Sequence, residues 1–150
     1  MWKRLAPEGF IAPTTLETSR LRLRPLTVHD VVRDYDAVMT SVEHLAGAGM
    51  FGDWPRGLTL EQNLIDLGWH QKNHTIGAAF TYTVLSLDER TCLGCVYIEP
   101  TDVPGCEAEV LLWVRQSELA SGLDEHLYVA VRAWLSSEWP FQRVCYPGRE

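Results

Sequence analysis

The run Trp113-Val114-Arg115-Gln116-Ser117-Glu118-Leu119-Ala120-Ser121-Gly122-Leu123-Asp124 decides how the rest of the chain is read. It begins as the end of a buried strand, passes through a short loop, and enters an amphipathic helix. Leu123, Leu127, Ala130, Val131 and Trp134 form one apolar stripe along that helix, which is expected to reach residue 138 before Pro140 stops it. A helix start leaves backbone N–H groups without intrahelical partners, and such amides hold phosphates. Asp124 puts a carboxylate where that anion would sit. The segment combines an anion-binding architecture with a side chain opposed to it.

Working outward, residues 79–87, 91–99 and 107–114 read as three strands joined by the turn Asp88-Glu89-Arg90 and by Asp102-Val103-Pro104-Gly105, giving two antiparallel hairpins. Residues 141–146 form a last short strand. Towards the N-terminus, residues 16–26 alternate apolar and polar and read as one half-buried strand ended by Pro25. Thr27, with Asp30 three residues on, caps a helix running to about Met39, with Val28, Val31, Val32, Tyr35 and Val38 on its apolar side. The glycine-rich residues 46–58 make a surface loop whose aromatic residues, Phe51 and Trp54, are of the kind that line clefts. Thr59 and Gln62 have capping-box spacing and open a second helix, expected to end near Asn73, with Leu60, Leu64, Ile65, Leu67 and Trp69 facing inward. The resulting order is strand, two helices, three strands, helix, strand. That is an α/β (α+β) mixture with a largely antiparallel sheet, in one domain over residues 1–150 whose first 15 residues are an irregular lead-in.

Hydrophobic residues at 46% and charged residues at 22% describe an ordinary globular chain, which excludes disorder. A net charge of −7 argues against a nucleic-acid partner. The cluster Arg20, Arg22 and Arg24 alternates with leucines and reads as the wetted face of an edge strand, with phosphate contact the lesser reading. No apolar run is long enough for a membrane helix and no secretory signal opens the chain, so a cytoplasmic location is expected. Four cysteines in 150 residues do not read as a disulfide scaffold. Cys92 and Cys95, three apart on a strand, are expected to point to opposite faces, as core residues and not as a metal or redox pair. His70 and His74 stand four apart on a helix, a spacing that can hold a metal, but with no third ligand nearby in sequence they read as a solvated helix end and no metal is expected. Trp54, Trp69, His70 and His74 are also candidates to line an acceptor pocket.

Three passages resemble the GNAT superfamily of acyl-CoA-dependent N-acyltransferases, in its ribosomal-protein acetyltransferase-like branch. Leu16-Glu17-Thr18-Ser19-Arg20-Leu21-Arg22-Leu23-Arg24-Pro25-Leu26 is similar to the branch's opening strand, and Ala108-Glu109-Val110-Leu111-Leu112-Trp113-Val114 to its fourth strand. Residues 115–134 lie where the family carries its acyl-CoA signature, so the likeness covers about residues 16–147. It implies a mixed, mainly antiparallel twisted sheet flanked by helices, with a gap between the strands over 107–114 and 141–146 where a thioester arm threads. It also implies acetyl-CoA as co-substrate, bound by Trp113, Val114, Arg115, Ala120, Ser121, Gly122 and Leu123. Glu109 matches the glutamate that acts as base in several relatives, and its carboxylate on a central strand is expected to be poorly solvated; Glu99 is a second candidate. Tyr128 and Tyr146 are candidate proton donors but read more simply as packing.

Two departures set the alternatives. In the signature Q/R-x-x-G-x-G/A, Gly122 matches the middle glycine, whereas Leu119 and Asp124 replace the polar first and small last residues. Asp124 would repel a diphosphate by about 1–4 kcal/mol per close charge pair. The family also continues beyond its fifth strand, so a half-open CoA site, or one covered by a second subunit, is expected. The chain is therefore read as an N-acyltransferase moving an acetyl or other acyl group to a small-molecule or peptide amine. The alternative is a degenerate GNAT scaffold serving as a non-catalytic binding or dimeric regulatory protein. A homodimer is expected because the short last strand leaves an open sheet edge.

Overall fold

Thr18 breaks the first alternating run. In the computed structural model, which describes residues 3–149, its hydroxyl accepts hydrogen bonds from the Arg20 and Leu21 amides at 3.1 and 3.2 Å. Its own amide donates to the Leu21 carbonyl at 2.9 Å. The chain turns there, and β1 (Leu16–Glu17) pairs antiparallel with β2 (Arg22–Pro25), setting Leu16 opposite Leu23. The single strand expected over residues 16–26 is therefore a hairpin. A hydroxyl that offers local hydrogen bonds has competed with the ladder, which alternation alone does not reveal.

The sheet continues through β3 (Phe80–Leu85), β4 (Cys92–Glu99) and β5 (Ala108–Val114), all antiparallel, to β6 (Val144–Cys145), which runs parallel to β5. The six strands lie in sequence order. Thr27 and Asp30 close the capping box over a 3-10 turn, Val28–Asp30, which leads into α1 (Val31–Met39). A short α2 (Val42–Gly47) follows, then α3 (Leu60–Ile76), whose N-cap Thr59 accepts from the Gln62 amide at 3.1 Å. A second 3-10 turn, Gln116–Ser121, precedes α4 (Leu123–Glu138).

Two apolar clusters occupy the two faces of the sheet. Tyr82, Val96, Val110 and Leu112 pack against α4 through Leu127, Val131 and Trp134. Leu85, Cys95, Tyr97 and Trp113 form the other, under α1 to α3 with Val38, Leu45 and Leu67. α1 buries Val38 and packs Val31 as its apolar stripe suggests, whereas α3 is rotated so that most of its apolar residues face outward. Val32 is 71% exposed, and Leu60, Leu64, Ile65 and Trp69 are exposed as well, whereas Asp34 and Asn63 are buried. The two polar side chains satisfy each other: the Asn63 amide donates to the Asp34 carboxylate at 2.9 Å. His70 and His74 face the sheet too, His70 near the Thr81 hydroxyl at 3.2 Å and His74 edge-on to Phe80 and Tyr82. They are not the solvated helix end expected, and burial lowers the pKa of both.

A register shift in the β3–β4 ladder corrects the reading of the cysteines. Val84 lies opposite Gly94 and Leu85 opposite Cys92, so Leu93 is an extra residue. The bulge flips the alternation, Leu93 joins the α4-side cluster, and Cys92 and Cys95 both pack on the opposite face. Gly94 is required at this point because a Cβ there would overlap the Trp113 carbonyl oxygen. Cys106 and Cys145 form a disulfide with Cα atoms 5.9 Å apart, fastening β6 beside the start of β5. Composition gave no hint of it, since 39 residues separate the pair.

Candidate active site

β5 and β6 touch only at their beginnings. Ala108 faces Val144 and Glu109 faces Cys145, and from Val110 onward β5 has no ladder partner on this side. The expected gap is present. Backbone groups alternate along a strand, and the Leu112 carbonyl accepts from Arg149 at 3.2 Å on the opened side, so the backbone of Val114 faces it as well. The same Arg149 guanidinium grips the Asp124 carboxylate through two bonds, 2.7 and 2.9 Å. Asp124 is thus neutralised at the mouth of the gap by a residue that sequence reasoning missed, 25 positions away and without any local pattern to announce it.

The gap leads to the start of α4. Gly122 adopts φ +75°, a left-handed turn that favours glycine, and no side chain caps the helix. Ala120, Ser121 and Gly122 are exposed there, while the side chain of Leu123 is buried. Arg20 reaches across from the β1–β2 turn and donates to the carbonyl and hydroxyl of Ser121 at 3.2 and 3.1 Å. Its former companions behave differently, since Arg22 and Arg24 are held by Glu17, Asp30 and Glu89. Arg115 also turns elsewhere, bonding Asp36 and Thr40 on the α1 side and the Cys92 carbonyl. Trp113 sends its ring into the core, where its indole N–H donates to the Tyr97 hydroxyl at 3.0 Å. Tyr128 and Tyr146 meet edge to face at 5.4 Å, with Arg132 over both rings.

On the other face of the sheet, α1, α3 and the glycine-rich loop enclose a cavity of about 320 Å³ beside β4 and β5. Phe51 and Trp54 line it, as the loop reading expects, with Tyr97 and Leu111 from the sheet. Asp34, Asn63, Asp66, His70 and Glu99 supply its polar wall, whereas Trp69 points to solvent and His74 lies outside the lining. Asp34 and Asn63 carried no sequence signal, because a carboxylate inside a helical pattern reads as surface. Burial, reinforced by Asp30 and Asp66, pushes the Asp34 carboxyl up to about 6.

Glu99 and Glu109 sit directly opposite one another across the β4–β5 ladder. Glu99 lines the cavity just described; Glu109 lines a neighbouring cleft of about 370 Å³ with Met50, Pro147 and Gly148, and Leu111 borders both. Glu109 is half-buried, less shielded than the strand position suggested. Burial, and then the charge of Glu109, raises the pKa of Glu99 from its ordinary value. The arrangement can take a proton from a group in the first cavity next to whatever occupies the second.

No family model matches the sequence, and no curated protein sequence does. Solved structures do match. A ribosomal-protein-S5-alanine acetyltransferase from Vibrio fischeri aligns with TM-score 0.65 and 17% identity over 82% of this chain and 67% of its own. RimL, a ribosomal L7/L12 alpha-N-protein acetyltransferase solved with coenzyme A, aligns with TM-score 0.61 and 18% identity over 83% and 66%. An acetyltransferase from Agrobacterium tumefaciens aligns with TM-score 0.57 and 20% identity over 87% and 71%. The chain spans about two thirds of the length of the structures it first matches. Together with the parted β5–β6 pair, the helix that follows it and the curled mixed sheet, these likenesses establish that the chain has the GNAT acyl-CoA N-acyltransferase fold.

Proposed function

We propose that the protein transfers an acyl group from an acyl-CoA, acetyl-CoA by resemblance, to an amine. The observation that carries this reading is the edge of β5 left without a ladder partner beyond Glu109, where Arg149 holds the Leu112 carbonyl and Val114 lies further along towards an uncapped helix start, while Asp124 is already paired with the same arginine. The chemistry of the donors fits a thioester arm ending in a diphosphate. The strand edge offers backbone hydrogen bonds, the first turn of α4 offers amides, and Arg20 stands beside Ser121 as a cation. Asp124 with its arginine presents no net charge to a phosphate, so the repulsion expected from sequence is offset.

The acyl-CoA supplies an activated carbonyl, and the chain's part is to orient the amine and remove its proton. Glu99 is the base we favour, because its raised pKa brings its proton affinity closer to that of an ammonium in neutral solution. Glu109 acts beside it, its charge being one cause of that rise. Trp113 and Val114 serve through the strand they end, and Ala120, Ser121, Gly122 and Leu123 through the turn that precedes and opens α4.

Calorimetric titration with acetyl-CoA tests the reading. Saturable binding is expected, weakened about ten-fold or more in Arg149→Ala, where Asp124 stands unpaired, and regained when Asp124→Gly is added. No binding at millimolar acetyl-CoA in the wild-type protein overturns it.

A further inference from the structure

We propose that the cavity between α1, α3 and the sheet receives a small cationic amine with an apolar body and no carboxylate of its own, because a buried unneutralised Asp34 and the Phe51–Trp54–Tyr97 rings meet there. As the acceptor site of the reaction it rests on the acyl-transfer reading; as a binding site it stands alone.

The lining has one sign of charge. Asp34, Asp66 and Glu99 face the space, and no lysine or arginine is among the residues lining it. Asp34 is distinctive among the aspartates. It is 4% exposed, and its one hydrogen-bond partner is the neutral Asn63 amide. Asp30, Asp36 and Asp124 are each held by an arginine. A buried carboxylate without a cation is costly to keep, and a ligand ammonium removes that cost. A ligand carboxylate would meet only like charge, which excludes free amino acids.

The apolar wall determines the rest of the ligand. Phe51 meets Trp54 edge-on at 5.5 Å and Tyr97 at 5.8 Å, while Trp54 leans on Trp113 at 6.2 Å. Rings at these angles present faces and edges around one space, which suits both an ammonium and the hydrocarbon next to it. A volume of about 320 Å³ lies at the small end of ligand cavities, so the whole body of the amine is compact. Leu111 lines both this space and the cleft beside Glu109, so an amine in the first lies one side chain away from the second.

The test is tryptophan-fluorescence and calorimetric titration of the full chain without acyl-CoA, at pH 8 where Asp34 is ionised. The probes are phenethylamine, hexylamine and spermidine, with phenylalanine as the match to phenethylamine that differs by a carboxylate. At least one amine is expected to saturate the site, and phenylalanine to bind at least about ten-fold more weakly than phenethylamine. Asp34→Asn and Trp54→Ala should each weaken the bound amine by about ten-fold or more, with thermal melting confirming that both variants fold. Saturation by none of the amines at millimolar concentration, phenylalanine binding as tightly as phenethylamine, or unchanged affinity in folded Asp34→Asn overturns the proposal. Because no acyl-CoA is present, this failure is read separately from a failure to bind acetyl-CoA.

Discussion

At the scale of single residues, Asp34 and Gly94 are two positions that the fold constrains closely. The Asp34 carboxyl titrates near 6 in the folded chain against 3.8 in the open one. Well below pH 3.8 both states hold the proton and the group is neutral to stability. Between the two values the native state keeps a proton that the unfolded state has released, so stability falls as pH rises; above pH 6 the full penalty, on the order of 3 kcal/mol, is present. Asp34→Asn keeps an oxygen for the Asn63 amide and should melt higher than wild type at pH 8, with the difference much reduced at pH 4. Equal melting temperatures at pH 8 would mean the carboxylate is better solvated than its burial implies. Gly94→Ala acts in the other direction. Its methyl would overlap the Trp113 carbonyl, so the β4–β5 ladder must move, and a loss of about 2–4 kcal/mol is expected in chemical denaturation.

At the scale of elements, the sequence conveyed some pieces clearly and others not at all. Thr27 and Thr59 marked the starts of α1 and α3 because capping is local chemistry, readable within four residues. The stripe Leu123, Leu127, Val131 and Trp134 gave α4 and its buried side for the same reason. The inward face of α3 was misread and that of α1 read incompletely, because they carry Asn63 and Asp34, two polar groups buried as a pair 29 residues apart. The hairpin at Thr18 and the bulge at Leu93 were hidden because one hydroxyl or one extra residue changes direction without changing composition. The short β6 has two ladder residues of its own and is fastened further by the Cys106–Cys145 bond and by Glu107, which bonds the backbone at residues 142 and 143. Cys106→Ser with Cys145→Ser should therefore lower stability by about 2–4 kcal/mol, and reductant should lower the wild-type melting temperature but not that of the variant. Insensitivity of the wild type to reductant would show that β6 is held by its other contacts.

At the scale of the whole molecule, the topology was legible from strand and helix order together with two resembling strands, whereas the candidate site was legible only in part. Glu99, Glu109, Phe51 and Trp54 could be nominated from strand ends and a glycine-rich loop. Arg149 could not, because its partners Asp124 and Leu112 are brought to it only by the parting of β5 from β6. The bulge at Leu93 has a further consequence for the molecule as a whole. With Cys106 and Cys145 joined, Cys92 and Cys95 are left as the free thiols, each 1% exposed and both beneath the same layer of helices. An alkylating reagent can reach neither until α1 to α3 lift from the sheet, and a single lifting uncovers both. Under conditions where reclosing is slow, intact-mass spectra should pass from unmodified to doubly alkylated protein with little singly alkylated species between, timing the undocking of that layer without any added probe.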